Sequence, residues 1–136
     1  MDRNGQISIE FVLVLAIMLV LVLLIASYIG SESESSTVLS AARAGAMDAT
    51  TNIVLLNRSA TPLRVENLST IGSGYNLTIQ INISGSLSDY QNQNIINSTL
   101  TSIAAQGYTR SDAGTSDNPS DDYITTSRHE YNVAIV

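Results

Sequence analysis

A long apolar stretch near the amino terminus precedes sequence in which hydrophobic and polar positions are mixed. No side chain from Phe11 to Ala26 is charged or polar, and the apolar character continues to Ile29. Residues 11–29 would form about 28 Å of helix at 1.5 Å per residue, which is enough to cross a hydrocarbon core of about 30 Å. Because the stretch is apolar on every side, it predicts a helix that faces lipid or other copies of itself.

Apolar residues then recur at helical spacing. They are Val38, Leu39, Ala42, Ala46, Ala49, Ile53 and Leu56. This spacing predicts an amphipathic continuation over residues 30–56. The simplest interpretation is one helix from about Gln6 to Leu56, with a candidate break near Gly30. Alanines at 41, 42, 44, 46 and 49 would allow a sheet or a neighbouring helix to approach closely.

Residues 57–136 predict a small, β-rich globular head. Residues 63–69 indicate a short strand, and Gly72-Ser73-Gly74 indicates a turn. Residues 75–84 are the clearest strand, because Leu77, Ile79, Ile81 and Ile83 alternate with polar residues. This alternation is typical of a strand with one buried and one wet face.

The rest of the head predicts a helix, a loop and a final strand. Residues 87–106 have apolar positions at helical spacing and stop at Gly107, while residues 110–122 indicate an exposed loop. Residues 123–136 predict a last strand or hairpin. The chain is therefore expected to have an α+β fold, in which the long N-terminal helix packs against a head with an antiparallel sheet and one short helix.

Composition excludes some classes of function. The chain has six arginines, no lysine and twelve carboxylates, and its net charge of −6 has the wrong sign for a nucleic-acid binder. It has no cysteine, so no disulfide or thiolate metal site is available. Nor do the residues form a phosphate-binding glycine loop or a Ser/His/Asp set, so no catalytic residue, metal ligand or cofactor is predicted.

Charged residues lie on both sides of the apolar stretch. Arg3 precedes the stretch, while Glu32 and Glu34 follow it, which favours a cytoplasmic N-terminus. Glu10 directly abuts the stretch, where a carboxylate is costly in hydrocarbon and indicates a partner or a function. Neither a cleaved secretory signal peptide nor a plain membrane anchor accounts for this carboxylate.

Residues 5–11, Gly-Gln-Ile-Ser-Ile-Glu-Phe, resemble the processing region of archaeal type IV pilins, which carry a class III signal peptide. The resemblance covers about twenty residues and implies that a prepilin peptidase cuts between Gly5 and Gln6, on the cytoplasmic side. Residues 1–5 would be the leader, residues 6–29 would stay as the apolar helix, and Glu10, followed by Phe11, would guide assembly. Asn4 departs from the pattern, because the family often has a basic residue before the glycine.

Charge neutralisation offers a physical reason for this arrangement. Cleavage would create an α-amine on Gln6, four residues from Glu10 and hence on the same helix face. That amine and the Glu10 of a neighbouring subunit would neutralise each other and lower the cost of both charges. The alternative is that Glu10 only complements the helix dipole at an N-terminus.

The function implied by the resemblance is that of a structural subunit of an extracellular type IV pilus, used for adhesion or surface attachment. Its partners would be other copies of itself, the prepilin peptidase, the assembly machinery and, before assembly, the cytoplasmic membrane; any surface or host ligand is unknown. The alternatives are a monomeric, membrane-anchored, glycosylated binding protein and a minor accessory subunit. An archaellum-type filament fits the Gln-Ile-Ser-Ile-Glu-Phe start less well.

Five Asn-x-Ser/Thr sequons make the head a candidate for N-glycosylation. They lie at Asn57, Asn67, Asn76, Asn82 and Asn97. Asn76 and Asn82 fall on the polar face of the predicted strand, where a glycan would project away from the core. The alternative is an ordinary asparagine-rich surface.

Two further features favour ordinary surface roles. Four aspartates of the 110–122 segment have no EF-hand spacing, so a solvated acidic loop is preferred to a calcium site. These aspartates are Asp112, Asp117, Asp121 and Asp122. His129, the only histidine, lies between Arg128 and Glu130 in the predicted last strand and is interpreted as a surface or cross-strand residue.

Overall fold

A computed structural model of the chain describes residues 9–56, 62–112 and 118–136. Helix α1 spans Ile9–Leu56 and continues through Gly30 without a break. The predicted helical continuation as far as Leu56 is confirmed, whereas the predicted start at Gln6 lies outside the described residues. The chain divides into two compact units, Met1–Ser35 and Ser36–Val136, and α1 contributes to both.

The second unit adds a five-stranded sheet and a second helix. Its strands are β1 (Arg64–Ser73), β2 (Asn76–Ser84), β3 (Thr109–Ser111), β4 (Tyr123–Thr125) and β5 (Glu130–Ile135), and its second helix is α2 (Asp89–Ala104). A single 3-10 turn, Pro119–Asp121, precedes β4. The strand order is β1-β2-β5-β4-β3. The fold is therefore α+β, as predicted.

Strands β1 and β2 form a hairpin with a two-residue connection. Ser73 pairs with Asn76, so Gly74 and Tyr75 form the loop. Gly74 has a φ of +73°, a conformation that glycine adopts without the steric cost of a side chain. The predicted turn at residues 72–74 was placed about one residue early, and β1 is longer than the predicted strand because it continues to this loop.

One strand pairing departs from the predicted antiparallel sheet. β5 lies between β2 and β4, antiparallel to β4 but parallel to β2. A parallel pair needs a long crossover connection, and the segment that contains α2 supplies it. Residues 123–136, predicted as a last strand or a hairpin, form the β4–β5 hairpin, but their local pattern does not encode the neighbour on the other side.

Helix α2 lies within the predicted range of residues 87–106 and is two residues shorter at each end. Ser88 and Gln91 form a reciprocal capping box, in which the Ser88 amide donates to Gln91 Oε1 at 2.9 Å and the Gln91 amide donates to Ser88 Oγ at 3.3 Å. This arrangement satisfies donors that a helix N-terminus otherwise leaves unpaired. At the other end, Gly107 has a φ of +96° and its amide donates to the Ala104 carbonyl at 2.9 Å, so the helix stops there.

A single core joins the second half of α1, helix α2 and one face of the sheet. Its buried members are Val38, Ala41, Ala42, Ala46, Ala49, Ile53, Ile79, Ile81, Ile83, Ile95, Ile96, Leu100, Ile103, Ile124, Tyr131 and Val133. On β2 the predicted alternation is confirmed, because isoleucines 79, 81 and 83 are buried while Asn76 and Asn82 are exposed. Four of the five predicted alanines on α1 are buried, and Ala44 is exposed.

Helices α1 and α2 are in close contact at Gly45. A Cβ atom built on this glycine would lie 2.7 Å from Ser102 Cβ, 2.7 Å from the Ser98 carbonyl oxygen and 2.9 Å from Thr99 Cα. Ser98 Oγ donates a hydrogen bond of 3.2 Å to the Gly45 carbonyl. The two backbones therefore touch at a position where even a methyl group would not fit.

We expect Gly45→Ala to destabilise the second unit by about 1–3 kcal/mol, the usual cost of overpacking a well-packed core. Alanine gains about 1 kcal/mol of helix propensity over glycine, so a net loss would show that the clash with the α2 backbone dominates. Urea unfolding of the full chain in detergent, followed by circular dichroism, measures the free energy of unfolding.

Gly74→Ala serves as the control, because its added Cβ has no atom within 4 Å. That substitution strains only a positive-φ residue of the exposed hairpin loop. A Gly45→Ala protein at least as stable as the unsubstituted chain would contradict the close helix contact.

Candidate assembly surface and modification sites

The apolar segment of α1, residues 11–29, is exposed around its whole circumference. Its large hydrophobic side chains retain between 47% and 68% of their accessible surface. The most apolar 18-residue window of the helix has a mean hydropathy of 3.2, and none of it is buried inside the protein. By length and composition the segment could therefore span a membrane, as predicted, and no part of the described chain covers it.

Glu10 lies in the first described turn of α1 and is exposed. Phe11 follows it, with 60% of its surface exposed. Within the described residues, Glu10 has no ion-pair partner, so the described part of the chain does not compensate its charge. The predicted cleavage residues, Gly5 and Gln6, lie outside the described residues.

Four of the five sequon asparagines are described, and all four are exposed. Asn67, Asn76 and Asn82 lie on strands β1 and β2, whereas Asn97 lies on α2. The fifth, Asn57, lies outside the described residues. An accessible amide nitrogen is the first requirement for N-glycosylation, and these four positions meet it.

The sequons differ in the surroundings of their hydroxyl residue. Thr99, which belongs to the Asn97 sequon, is fully buried, and its Oγ donates to the Ile95 carbonyl at 2.7 Å. In contrast, Thr78 of the Asn76 sequon is half-buried on the outer face of the sheet. In the folded chain, the hydroxyl of the Asn97 sequon is therefore withdrawn from an external enzyme.

The prediction of an exposed loop over residues 110–122 is wrong at both ends. Arg110 belongs to strand β3, and its guanidinium binds Asp122: Nε donates to Oδ2 at 2.8 Å, and Nη2 lies 2.6 Å from the same oxygen. The two side chains are 28% and 12% exposed. Nη1 also donates to Thr101 Oγ1 on α2 at 3.2 Å. A charge-assisted pair thus joins β3 to the segment that leads into β4 and to α2.

The Arg110–Asp122 ion pair offsets part of the negative charge that composition alone assigns to residues 110–122. The Asp122 carboxylate is engaged by Arg110, Asp112 and Asp121 also have interaction partners, and Asp117 lies outside the described residues. No cluster of three or more potential metal ligands occurs among the described residues. The described part of the segment is therefore tied into the fold.

His129 lies in the β4–β5 connection and not in the predicted strand. Its amide donates to Thr126 Oγ1 at 2.9 Å, and its carbonyl accepts from the Thr126 amide at 2.9 Å. Its ring packs edge-on against Tyr131 at a centroid distance of 5.8 Å. The residue shapes a tight connection, which agrees with the structural role expected of a lone histidine.

The outer face of the sheet contains a site that sequence reasoning missed. A shallow depression of about 620 Å³ is lined by Asn76 and Thr78 of β2, Glu130 and Asn132 of β5, and Tyr123 of β4. Each strand alternates, so the sequence predicts which residues face outward. It does not predict that β5 pairs with β2, which is what brings these residues together.

No protein-family model, curated protein or solved structure matches the chain. The interpretation of these surfaces therefore depends on their own chemistry.

We expect Asp122→Ala to lower the free energy of unfolding by about 1–2 kcal/mol, because it leaves the partly buried guanidinium of Arg110 without its anion. Glu66→Ala on β1 is the matched control, since it removes an exposed carboxylate and should change stability by less than about 0.5 kcal/mol. Urea unfolding of both variants in detergent measures the difference. Equal stabilities would show that the Arg110–Asp122 pair contributes nothing net.

Proposed function

We propose that the chain is a structural subunit of an extracellular filament of the type IV pilus kind, used for adhesion or surface attachment. In this proposal, leader cleavage precedes assembly, and the subunits join by packing their N-terminal helices. The observation that supports it most is the uncovered apolar surface of residues 11–29, which retains 47–68% exposure at its large side chains.

Such a surface must be removed from water in the functional state. Full burial of one large apolar side chain contributes about 1.5–3 kcal/mol, so the segment as a whole strongly favours lipid or protein surroundings. A membrane would provide the first environment, and a bundle of identical helices would provide the second. Because the segment is apolar all round, it can be surrounded by neighbours on every side.

Glu10 distinguishes this proposal from a simple anchor. A membrane anchor needs no carboxylate at the edge of its apolar segment, and such a charge is costly in hydrocarbon. In a filament, the α-amine of a processed Gln6 in one subunit would lie against Glu10 of the next. Removing one partner of a buried pair leaves an uncompensated charge, so the pair would favour the correct register between helices.

The head adds a folded surface to each subunit. Its polar sheet face and its exposed sequon asparagines would be repeated along the filament, where they can meet other surfaces many times over. Repeating a weak contact along the filament raises the overall strength of binding through avidity, which suits attachment to a surface. Anchored, glycosylated monomers share these surfaces but do not need Glu10 to pair within a filament. Minor accessory subunits would differ from a major subunit in their abundance.

Mass spectrometry of the N-terminal peptide tests the processing step. We expect material sheared from the surface of the producing cells to contain a mature chain that starts at Gln6, in an amount that matches a major subunit. A terminus intact at Met1 and found only in membranes would contradict the proposal and favour an anchored binding protein. A mature but scarce chain would indicate an accessory subunit.

Glu10→Ala tests the assembly step. We expect leader cleavage to proceed but filament yield to fall by at least about tenfold, the change that about 1.4 kcal/mol produces. Yield is measured as mature subunit in the sheared fraction relative to the membrane fraction.

Two further variants identify the role of the charge. Glu10→Gln keeps the side-chain size and should also lose assembly, whereas Glu32→Ala removes an exposed carboxylate of the same helix and should assemble normally. Full filament yield from Glu10→Gln would show that no charge pair is needed.

A further inference from the structure

The depression on the outer face of the sheet is built by strand register. Asn76 pairs with Glu130, and Thr78 pairs with Asn132 across the parallel β2–β5 ladder. Asn132 also pairs with Tyr123 of β4. These side chains therefore share one face and lie side by side, while residues that alternate with them, such as Ile79 and Tyr131, are buried on the other face.

The lining combines planar polar groups with an aromatic ring. Asn76 and Asn132 each offer an amide with donors and an acceptor, Glu130 offers two acceptor oxygens, and Tyr123 adds a partly buried ring. Within the described chain, no hydrogen bond or ion pair engages the side chains of Asn76, Glu130 and Asn132. Their hydrogen-bonding capacity is therefore open to a ligand.

This chemistry suits an uncharged saccharide. Adjacent hydroxyls of a sugar ring donate to and accept from amides and carboxylates, and the apolar face of the ring packs on an aromatic side chain. The Glu130 carboxylate disfavours anions such as phosphate esters. The depression is shallow and open to solvent, so a saccharide would lie against the sheet on one face only.

A glycan attached to Asn76 would place such a saccharide at the depression. Asn76 is both a lining residue of the depression and the asparagine of the Asn76-Leu77-Thr78 sequon. In N-glycosylation, Asn76 Nδ2 would attack the anomeric carbon of an oligosaccharide carried on a lipid phosphate. A C–N bond forms, the C–O bond to the phosphate breaks, the amide loses one proton, and the lipid phosphate leaves.

We propose that Asn76 carries an N-linked glycan and that the depression holds its first sugar residues. Asn132 and Glu130 hydrogen-bond the sugar hydroxyls, and Tyr123 packs against the ring. This inference goes beyond the filament proposal, because a head displayed on a membrane-anchored monomer would hold the glycan equally well.

Asn82 provides an internal comparison. It lies on the same strand and the same face as Asn76 and is also exposed, but it does not line the depression. A glycan at Asn82 would lie outside the depression, beside Asn67 of β1. The two sequons therefore differ in whether the depression lies beside the asparagine.

The test is the rate at which an amidase that cleaves N-glycans releases each glycan from the full chain, purified from the producing cells and dispersed in detergent. Glycopeptide mass spectrometry follows each site separately. We expect release at Asn76 to be roughly tenfold slower than at Asn82, which corresponds to a holding free energy of about 1.4 kcal/mol. After heat unfolding, the two rates should converge.

The double variant Tyr123→Ala/Asn132→Ala should bring the Asn76 rate to within about twofold of the Asn82 rate, a difference of only about 0.4 kcal/mol. Thr125→Ala, on the same face of β4 but outside the depression, should leave the rates unchanged.

Several results would overturn the inference. They are an unmodified Asn76, equal release at the two sites in the folded chain, and a difference that persists after unfolding. Protection at Asn76 that exists in sheared surface material but disappears on dispersal would show that a second copy covers the glycan. The comparison within the unsubstituted chain needs no variant to fold, and none of these outcomes depends on processing at Gln6 or on Glu10.

Discussion

The cost of leaving an apolar helix surface in water is the constraint on which the rest of this protein depends. Residues 11–29 present large hydrophobic side chains in every direction, and nothing else in the described chain covers them. The hydrophobic effect is non-directional and grows with the area removed from water, so this segment favours burial without specifying a partner. Polar groups add specificity to such burial, and Glu10 is a charged group at the edge of the segment.

The second half of α1 packs into the core of the second unit, and it does so with small residues. Alanines 41, 42, 46 and 49 are buried, and Gly45 allows the α2 backbone to approach within contact distance. Small side chains contribute little transfer free energy of their own, but they let larger neighbours such as Leu100 and Ile103 reach the core. One helix thus carries two kinds of surface. Residues 11–29 present large apolar side chains, whereas the small residues between 41 and 49 allow other parts of the fold to approach closely.

Local pattern predicted much of this fold, and long-range pairing explains most of what it missed. The helical course of α1 as far as Leu56, the alternation of β2 and the approximate extent of α2 follow from periodicity and stop signals, which depend on nearby residues. The Arg110–Asp122 pair and the position of β5 depend on contacts between distant segments. Gly45 was missed because an isolated glycine in a helix usually signals only weak propensity. Of the candidate sites, the exposed sequons were predictable, but the depression beside Asn76 was not.

The position of β5 in the sheet has a consequence for the order of folding. Residues 130–135 lie between β2 and β4, so the centre of the sheet is completed by its last strand in sequence. Until that strand has been synthesised, and has crossed a membrane if the head is exported, β2 has only β1 beside it. Pairings of such high contact order form slowly, and an unpaired strand edge is prone to aggregate. The head thus cannot complete its sheet until nearly the whole domain is available, which would suit a head that crosses a membrane before it folds.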